Sequence, residues 1–505
     1  MRTGSRLRTL CLRCPRSHGV TLGFQQRRLL NHFISKGTPP PLSQEIPSDL
    51  PKGAFTLAVK DNIATESLPT TCASAFLAPY TSPFEATIVT QLRQRGAVVV
   101  GKTNLDEFGM GSHSTHSAFG PVTQPDSNLS PGGSSGGSAV AVATGEAALA
   151  LGTDTGGSVR LPAAYTGVVG YKPSYGMLSR HGVIPYANSL DTVGLLSRTV
   201  TSLQHLLLSA PTPLWSEHDP LDPTSLPPST RRRCAALRQG YTPSAPLPTT
   251  PLLPTLTIGL PLEYNPAELD PRIRAAWAAA ASALAAAHAT IVPVSLPSTR
   301  HALPAYYVLA PAEASSNLAK YDGVRYGSRS TAASDYAASR AAGFGAEVQR
   351  RILLGAYTLS AEAMDNYFLQ AQRVRRVVRR DFDRVFRLGN PLVDGEVEGP
   401  FDLSDVPEGV EMQSKLGPAQ VDFLLCPTAP TLAPRADEVR DGLEGYVNDV
   451  FTVPASLAGL PAVSVPLGVE GDGRWAGLQV VGQFWDDARL LAVAREIPTP
   501  SSSRL

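Results

Sequence analysis

The stretch from Leu129 to Ala164, LSPGGSSGGSAVAVATGEAALALGTDTGGSVRLPAA, decides how the rest of the chain is read. Two clusters of glycine and serine, Gly132 to Gly137 and Thr155 to Ser158, enclose a run of small apolar residues. The run Ser138 to Leu151 is mostly Ala, Val and Leu, which predicts a thin helix packed inside a core. Each end of that helix then carries a loop combining backbone freedom with hydroxyls, as a site needs when main-chain N–H groups must approach a reacting atom. A flexible glycine-serine linker does not alternate with an apolar helix in this way. A serine that attacks a carbonyl also needs a base, usually histidine. The nearest histidines, His113, His116 and His181, stand in no recognisable triad motif.

The pattern GGSSGGS, followed 24 positions after Ser134 by the serine of DTGGSVR, resembles the amidase signature family, whose nucleophile is activated by a serine and a lysine. The resemblance implies Ser158 as nucleophile and Ser134 as the bridging serine, which in the family follows a cis peptide bond. It also implies a lysine at the end of an apolar strand upstream, and Leu57-Ala58-Val59-Lys60-Asp61-Asn62 supplies Lys60. A lysine accepts a proton only when neutral, so Lys60 must lie in a desolvated pocket that lowers its pKa by several units from about 10.4. Ser134, as donor and acceptor at once, relays the Ser158 proton to it. The N–H groups of Thr155, Gly156, Gly157 and Ser158 are the expected oxyanion hole, where losing one donor costs roughly two to three orders of magnitude in rate.

Working outward, the 505 residues, 43% hydrophobic and 17% charged, suffice for a large core or two domains. No apolar run approaches the ~20 residues that span a membrane. Five scattered cysteines argue against a disulfide framework, and Cys11 and Cys14 have no second pair to complete a zinc site. Residues 1–36 hold seven arginines and one lysine, while the first acid is Glu45, the composition of a mitochondrial presequence. Removing those eight from the 44 basic residues leaves 36 against 43 acids, a net charge near −7 that does not mark a nucleic-acid binder. Asn31 to Ser35 resembles the family's short segment before its catalytic core, without the usual N-terminal helices.

A helix is expected over Glu85 to Arg95 and a buried strand over Ala97 to Val100. Gly96 to Thr103 satisfies the Walker A pattern, but three consecutive valines belong in a strand rather than in a phosphate-cradling loop. Residues 210–254, rich in proline and carrying Arg231-Arg232-Arg233, read as a surface insertion with little structure and a solvated basic triplet. Asp270-Pro271 opens an Ala-rich helix with Asp as N-cap and Ile273, Trp277, Ala280 and Leu284 on one face. The strand Thr290 to Val294 follows. A helix from Ala363 to Arg387 sets Tyr367, Ala371, Val374, Val378 and Phe382 on one face, its arginines elsewhere and Gly389 as stop. Residues 390–419 read as a second, acidic insertion, and the closing strands are expected within 421–430, 454–466 and 477–482. The alternation indicates an α/β fold. The resemblance implies one large amidase domain over 51–495, a mixed sheet covered by helices. No internal repeat is evident.

Tyr306 to Asn317, Arg325-Tyr326-Gly327 and Gly343 to Gly355 narrow the resemblance to one branch, the A subunits of glutamyl-tRNA(Gln) amidotransferases. A free glutamine presents a carboxylate and an ammonium, so a glutaminase needs a cation and an anion in one pocket. By motif position Arg351 holds the carboxylate, Asp449 the ammonium, and Tyr306 lines the pocket. The branch implies a glutaminase in the mitochondrial matrix that uses no metal of its own. Its ammonia goes to a partner B subunit, where ATP and Mg²⁺ activate Glu-tRNA(Gln), and a small third subunit completes the complex. The alternatives are a free-standing amide hydrolase with the same triad, an ATP-binding protein using Gly96 to Thr103, and an inactive scaffold. Leu161 and Ser112 to His116 depart from the family's pattern and bear on the pocket lining.

Overall fold

The computed structural model describes residues 30–37, 53–125, 128–208, 213–214, 217–238, 253–329, 336–393, 420–439, 443–469 and 473–498. Most of the expected leader, with Cys11 and Cys14, and most of the 390–419 insertion lie outside the described residues. Among the described residues eleven strands form one mixed sheet: β1 Phe33–Lys36, β2 Phe55–Lys60, β3 Ala97–Thr103, β4 Leu149–Asp154, β5 Val169–Lys172 and β6 Thr192–Ser197, then β7 Thr257–Pro261, β8 Thr290–Val294, β9 Phe423–Pro427, β10 Ala462–Gly468 and β11 Trp475–Gly482. Their order across the sheet is β1-β3-β2-β4-β6-β5-β10-β11-β9-β7-β8. β3, β2 and β4 run parallel at one end, β9, β7 and β8 at the other, with antiparallel pairs between them. β1, inside the stretch expected as leader, pairs antiparallel with β3 at the edge.

The helices in chain order are α1 Thr87–Gln94, α2 Gly136–Ala143, α3 Arg160–Thr166, α4 Val200–Leu208, α5 Pro228–Arg238 and α6 Pro271–Ala286. They continue with α7 Ala302–Asn317, α8 Tyr336–Gly343, α9 Ala346–Thr358, α10 Leu369–Val385, α11 Leu443–Tyr446, α12 Val453–Leu457 and α13 Asp487–Arg495. None of the described helices is long and apolar enough to cross a membrane. β2, β4, β5, β6 and β9 are buried along their whole length, so they read as apolar runs rather than alternating ones.

That burial explains the main correction to the sequence reading. The stretch Ser138–Leu151, expected as one helix, is helix only to Ala143, then a turn, then the start of a strand. α2 ends at Ala143, Gly145 turns the chain at φ 76°, and Leu149 onward is β4. A short buried apolar run fits a central strand as well as a helix, and Gly145 was the cue. The Walker-like segment is strand β3, and Lys102 turns inward to Thr70 Oγ1 (2.8 Å) and Asp61 (3.2 Å). The 210–254 stretch holds α5, whose Arg231, Cys234 and Arg238 face inward at helical spacing. Arg231 is thus not solvated, for its guanidinium donates to the carbonyls of Gly176 and Met177 at 3.1 and 3.0 Å. The Asp270 cap holds, accepting from the Arg272 amide at 2.9 Å. The helix expected from Ala363 is a single π turn, Met364–Phe368, running into α10, which stops at Val385 before Gly389.

Candidate active site

β2 and β4 are neighbouring parallel strands, and both end at the same side of the sheet, where crevices for ligands form in such folds. Lys60 is the last residue of β2, and Thr153 and Asp154 close β4. The Lys60 side chain is wholly buried. Its ammonium nitrogen lies 2.8 Å from Ser134 Oγ, 2.7 Å from Ser135 Oγ and 3.0 Å from Thr153 Oγ1. Burial lowers its pKa to about 7, against the opposing pull of Asp106, Asp154 and Asp191. The lysine is therefore deprotonated in a large share of molecules near neutral pH, as a base must be.

Ser134 stands just before α2, and the Gly133–Ser134 peptide is cis. A side chain at Gly133 would run into the Asp106 carboxylate and the His113 amide, so this approach needs glycine. Asp106 fixes the neighbouring loop by accepting from the Ser114 and His116 amides at 2.9 and 3.0 Å. Ser158 sits between β4 and α3, and from Ala147 to Ser174 it is the one residue that is not buried. Its carbonyl accepts from the Ser135 amide at 3.1 Å, which ties the two serine loops together. No hydrogen bond joins the Ser158 and Ser134 hydroxyls among the described residues. Such contacts are often long without substrate and tighten when it binds.

The Thr155–Ser158 turn is held from below. Arg160 donates to both Asp154 oxygens, at 2.9 and 3.0 Å, and to the Thr452 carbonyl at 3.0 Å, all fully buried. Thr155 Oγ1 donates to Asp191 at 2.7 Å. Gly157 has φ 151°, and a Cβ there would collide with Thr452 Oγ1, so the chain passes here only as glycine. A Cβ on Gly156 would meet the Tyr306 ring at 2.6 Å. Tyr306, on α7, therefore packs directly on the turn before Ser158.

Arg351 and Asp449 converge on the same place from α9 and from the segment after α11. Arg351 gives Nε to Glu347 (2.8 Å) and Nη1 to the Tyr186 hydroxyl (2.7 Å), and Nη2 carries no hydrogen bond among the described residues. The rings of Tyr186, Tyr307 and Tyr446 surround its guanidinium, with centroids 5.3 to 5.8 Å away. Asp449 Oδ2 accepts from Ser112 (3.0 Å) and Tyr307 (3.1 Å), while Oδ1 lies 3.2 Å from the Cβ position of Gly157. Burial raises the Asp449 pKa to about 7. Tyr307, which donates to Asp449 and lays its ring beside Arg351, links the anion to the cation next to the Thr155–Ser158 turn.

The sequence reading missed Ser135, Thr153, Tyr186, Tyr307, Glu347, Tyr446 and Thr452, as well as Asn62, which donates to Thr153 Oγ1 at 3.1 Å. Ser135 was visible beside Ser134, and Glu347–Arg351 has the i,i+4 spacing of a helical ion pair. Tyr186 carried no local signal. Of the departures, Leu161 packs its side chain in a small apolar cluster with Tyr165, Ala429 and Ala433. Ser112, in contrast, holds Asp449. His113 bonds Ser130 (2.9 Å) and Asn448 (3.0 Å), and burial lowers its pKa to about 4, so it serves as a structural link. No cluster of metal-ligating side chains occurs among the described residues.

A family model described as amidase matches residues 55–491. The chain is 61% identical to the A subunit of the mitochondrial glutamyl-tRNA(Gln) amidotransferase of Neurospora crassa, across 97% of both chains. It is 63% identical to the A subunit of the same mitochondrial enzyme from Podospora anserina, across 97% of this chain and 99% of that one. Among solved structures it resembles the A subunit of the glutamyl-tRNA(Gln) amidotransferase of Thermotoga maritima, with TM-score 0.68, 34% identity and coverage of 94% of this chain and 89% of that one.

Proposed function

The chain belongs to the amidase family, and from that premise we propose that it is the glutamine-hydrolysing A subunit of a mitochondrial glutamyl-tRNA(Gln) amidotransferase. The observation that carries the reading is the fully buried Lys60 bonded to Ser134, facing a turn whose one accessible side chain is Ser158. Neutral Lys60 accepts the Ser158 proton through Ser134 while Ser158 Oγ attacks the side-chain amide carbon of glutamine. The N–H groups of Thr155, Gly156 and Gly157 meet the developing oxyanion. The proton then passes back through Ser134 to the departing nitrogen, ammonia leaves, and water activated by the same relay hydrolyses the glutamyl ester.

Substrate choice rests on the second half of the site. Arg351 Nη2 binds the α-carboxylate, Asp449 Oδ1 the α-ammonium, and Tyr306 closes the pocket against Gly156. A simple amide hydrolase needs neither charge, which favours a free amino acid as substrate. The ammonia is used by a B subunit that employs ATP and Mg²⁺ to activate Glu-tRNA(Gln), with a third, smaller subunit in the complex. This chain itself works without cofactor.

The test is ammonia release from glutamine by the mature chain co-expressed with its B subunit, wild type against Ser158→Ala. Release that depends on Ser158 supports the reading. An assembled wild-type complex that cleaves other amides and releases no ammonia from glutamine would leave the triad standing and overturn the substrate.

A further inference from the structure

We infer that the outward face of α9, together with the π turn and the start of α10, is the surface on which the ammonia-accepting partner subunit docks. The inference rests on the amidotransferase reading above.

The surface consists of six large apolar side chains in the open. Leu353, Leu354 and Tyr357 lie on α9, Met364 and Tyr367 on the π turn, and Leu369 opens α10. Leu353 is 71% exposed and Tyr357 58%. They form one patch, because the rings of Tyr357 and Tyr367 stand 5.9 Å apart and the π turn packs against α9. The i,i+5 spacing of a π turn aligns Met364 with Leu369. A contiguous apolar patch rich in Tyr, Leu and Met is what the centre of a protein interface looks like, and isolated chains rarely leave one uncovered.

Two features select the occupant. The patch begins at the rim of the substrate pocket: on α9 Arg351 points inward to Glu347, while Arg350, Leu353, Leu354 and Tyr357 follow one another on the outer face. Arg350 pairs with Glu347, which also accepts from Tyr446 at 2.7 Å, so the pocket wall and the apolar stripe share a helix turn. Ammonia released into water takes up a proton and loses the lone pair that the acceptor reaction needs. The subunit that consumes it must therefore seat against the pocket and exclude solvent there. On the far side, Leu369 is followed at helical spacing by exposed Arg373, Arg376 and Arg380. Glu362 and Asp365 stand on the turn between. The matching partner surface is an apolar ridge bordered on the α10 side by carboxylates.

The experiment uses the full mature chain co-expressed with its partner subunits. The double variant Leu353→Asp/Tyr357→Asp is expected to weaken assembly by about 100-fold or more, since it puts two charges in place of the two most exposed large apolar side chains of the patch. As the two side chains are exposed, the variant's melting temperature stays at the wild-type value. Leu221→Asp, equally exposed elsewhere, assembles normally. Wild-type affinity in the double variant overturns the inference, as does light scattering showing that the patch holds two copies of this chain together. Should the double variant misfold, a photo-crosslinking p-benzoylphenylalanine in place of Leu354 in the otherwise unchanged chain decides the matter. A crosslink to the partner subunit supports docking, and its absence overturns it. If the wild type assembles, the variant does not, and neither releases ammonia from glutamine, the docking surface stands and the glutaminase reading falls.

Discussion

The two halves of the site are built from different material. The nucleophile half, Lys60, Ser134 and Ser158, hangs on the ends of two central parallel strands and two short helices, nearly all of it buried. The recognition half, Tyr306, Arg351 and Asp449, is carried by α7, α9 and the segment after α11, elements whose outer faces meet solvent. On the proposed mechanism the sheet fixes the chemistry, and a helical layer laid over it chooses the substrate. The consequence is that damage to each half should show in a different kinetic constant.

Lys60→Met tests this most strongly. Removing the base is expected to lower kcat about 10³- to 10⁴-fold with little change in KM, read from single-turnover ammonia release. The same variant should be more stable than wild type at pH 7. The folded-state pKa of Lys60 lies near 7, well under its ordinary 10.5, so folding loses a proton and disfavours the native state at neutral pH. That cost declines as pH rises towards the ordinary value, so the gain in melting temperature should shrink between pH 7 and 10. A variant that is both inactive and less stable would mean that Lys60 is held for packing and not for its proton.

Arg351→Met should do the reverse. Losing a charge-assisted contact with the α-carboxylate predicts a rise of about 10- to 100-fold in KM for glutamine. Hydrolysis of propionamide, which lacks both α-groups, should keep its wild-type kcat/KM. An equal loss on both substrates would show that Arg351 supports the nucleophile's turn instead of reading the substrate.

The pH profile separates the halves without moving the pocket. Lys60 must be neutral to act and Asp449 ionised to hold an ammonium, and both titrate near 7, so kcat/KM for glutamine should rise with pH through two overlapping limbs. In Asp449→Asn, with affinity for glutamine reduced about tenfold, only the Lys60 limb should remain. A two-limbed profile in that variant would assign the second titration to another group.

The difference between the halves also governs what the sequence disclosed. Lys60, Ser134 and Ser158 lie in short motifs that carry the family resemblance, and the alternation of helix and strand indicates an α/β fold, while the mixed sheet came only with that resemblance. Arg351 and Asp449 could be named from motif resemblance, but their surroundings could not. Tyr186, Tyr307 and Tyr446 reach one guanidinium from three separate parts of the chain, and nothing local to Tyr186 marks it. The helix over Ser138–Leu151 failed for a related reason. Leu149–Leu151 is apolar enough for either state, and beyond the Gly145 turn it is its place between β2 and β6 that makes it a strand.

Ser135 gives the smallest expected effect and the finest division. It lies 2.7 Å from the Lys60 nitrogen, as near as Ser134, yet its amide is tied to the Ser158 carbonyl and its side chain stands 3.4 Å from the Thr153 carbonyl. On the proposed mechanism those contacts make it an orienting partner that aims the lysine, while Ser134 carries the proton. Ser135→Ala removes one hydrogen bond of about 1 kcal/mol and leaves Ser134 and Thr153 in place, so kcat should fall only about fivefold. Ser134→Ala breaks the relay and should cost a further factor of about 10² or more. Equal losses in the two variants would mean that either serine can pass the proton, and that the resemblance singled out Ser134 on sequence pattern alone.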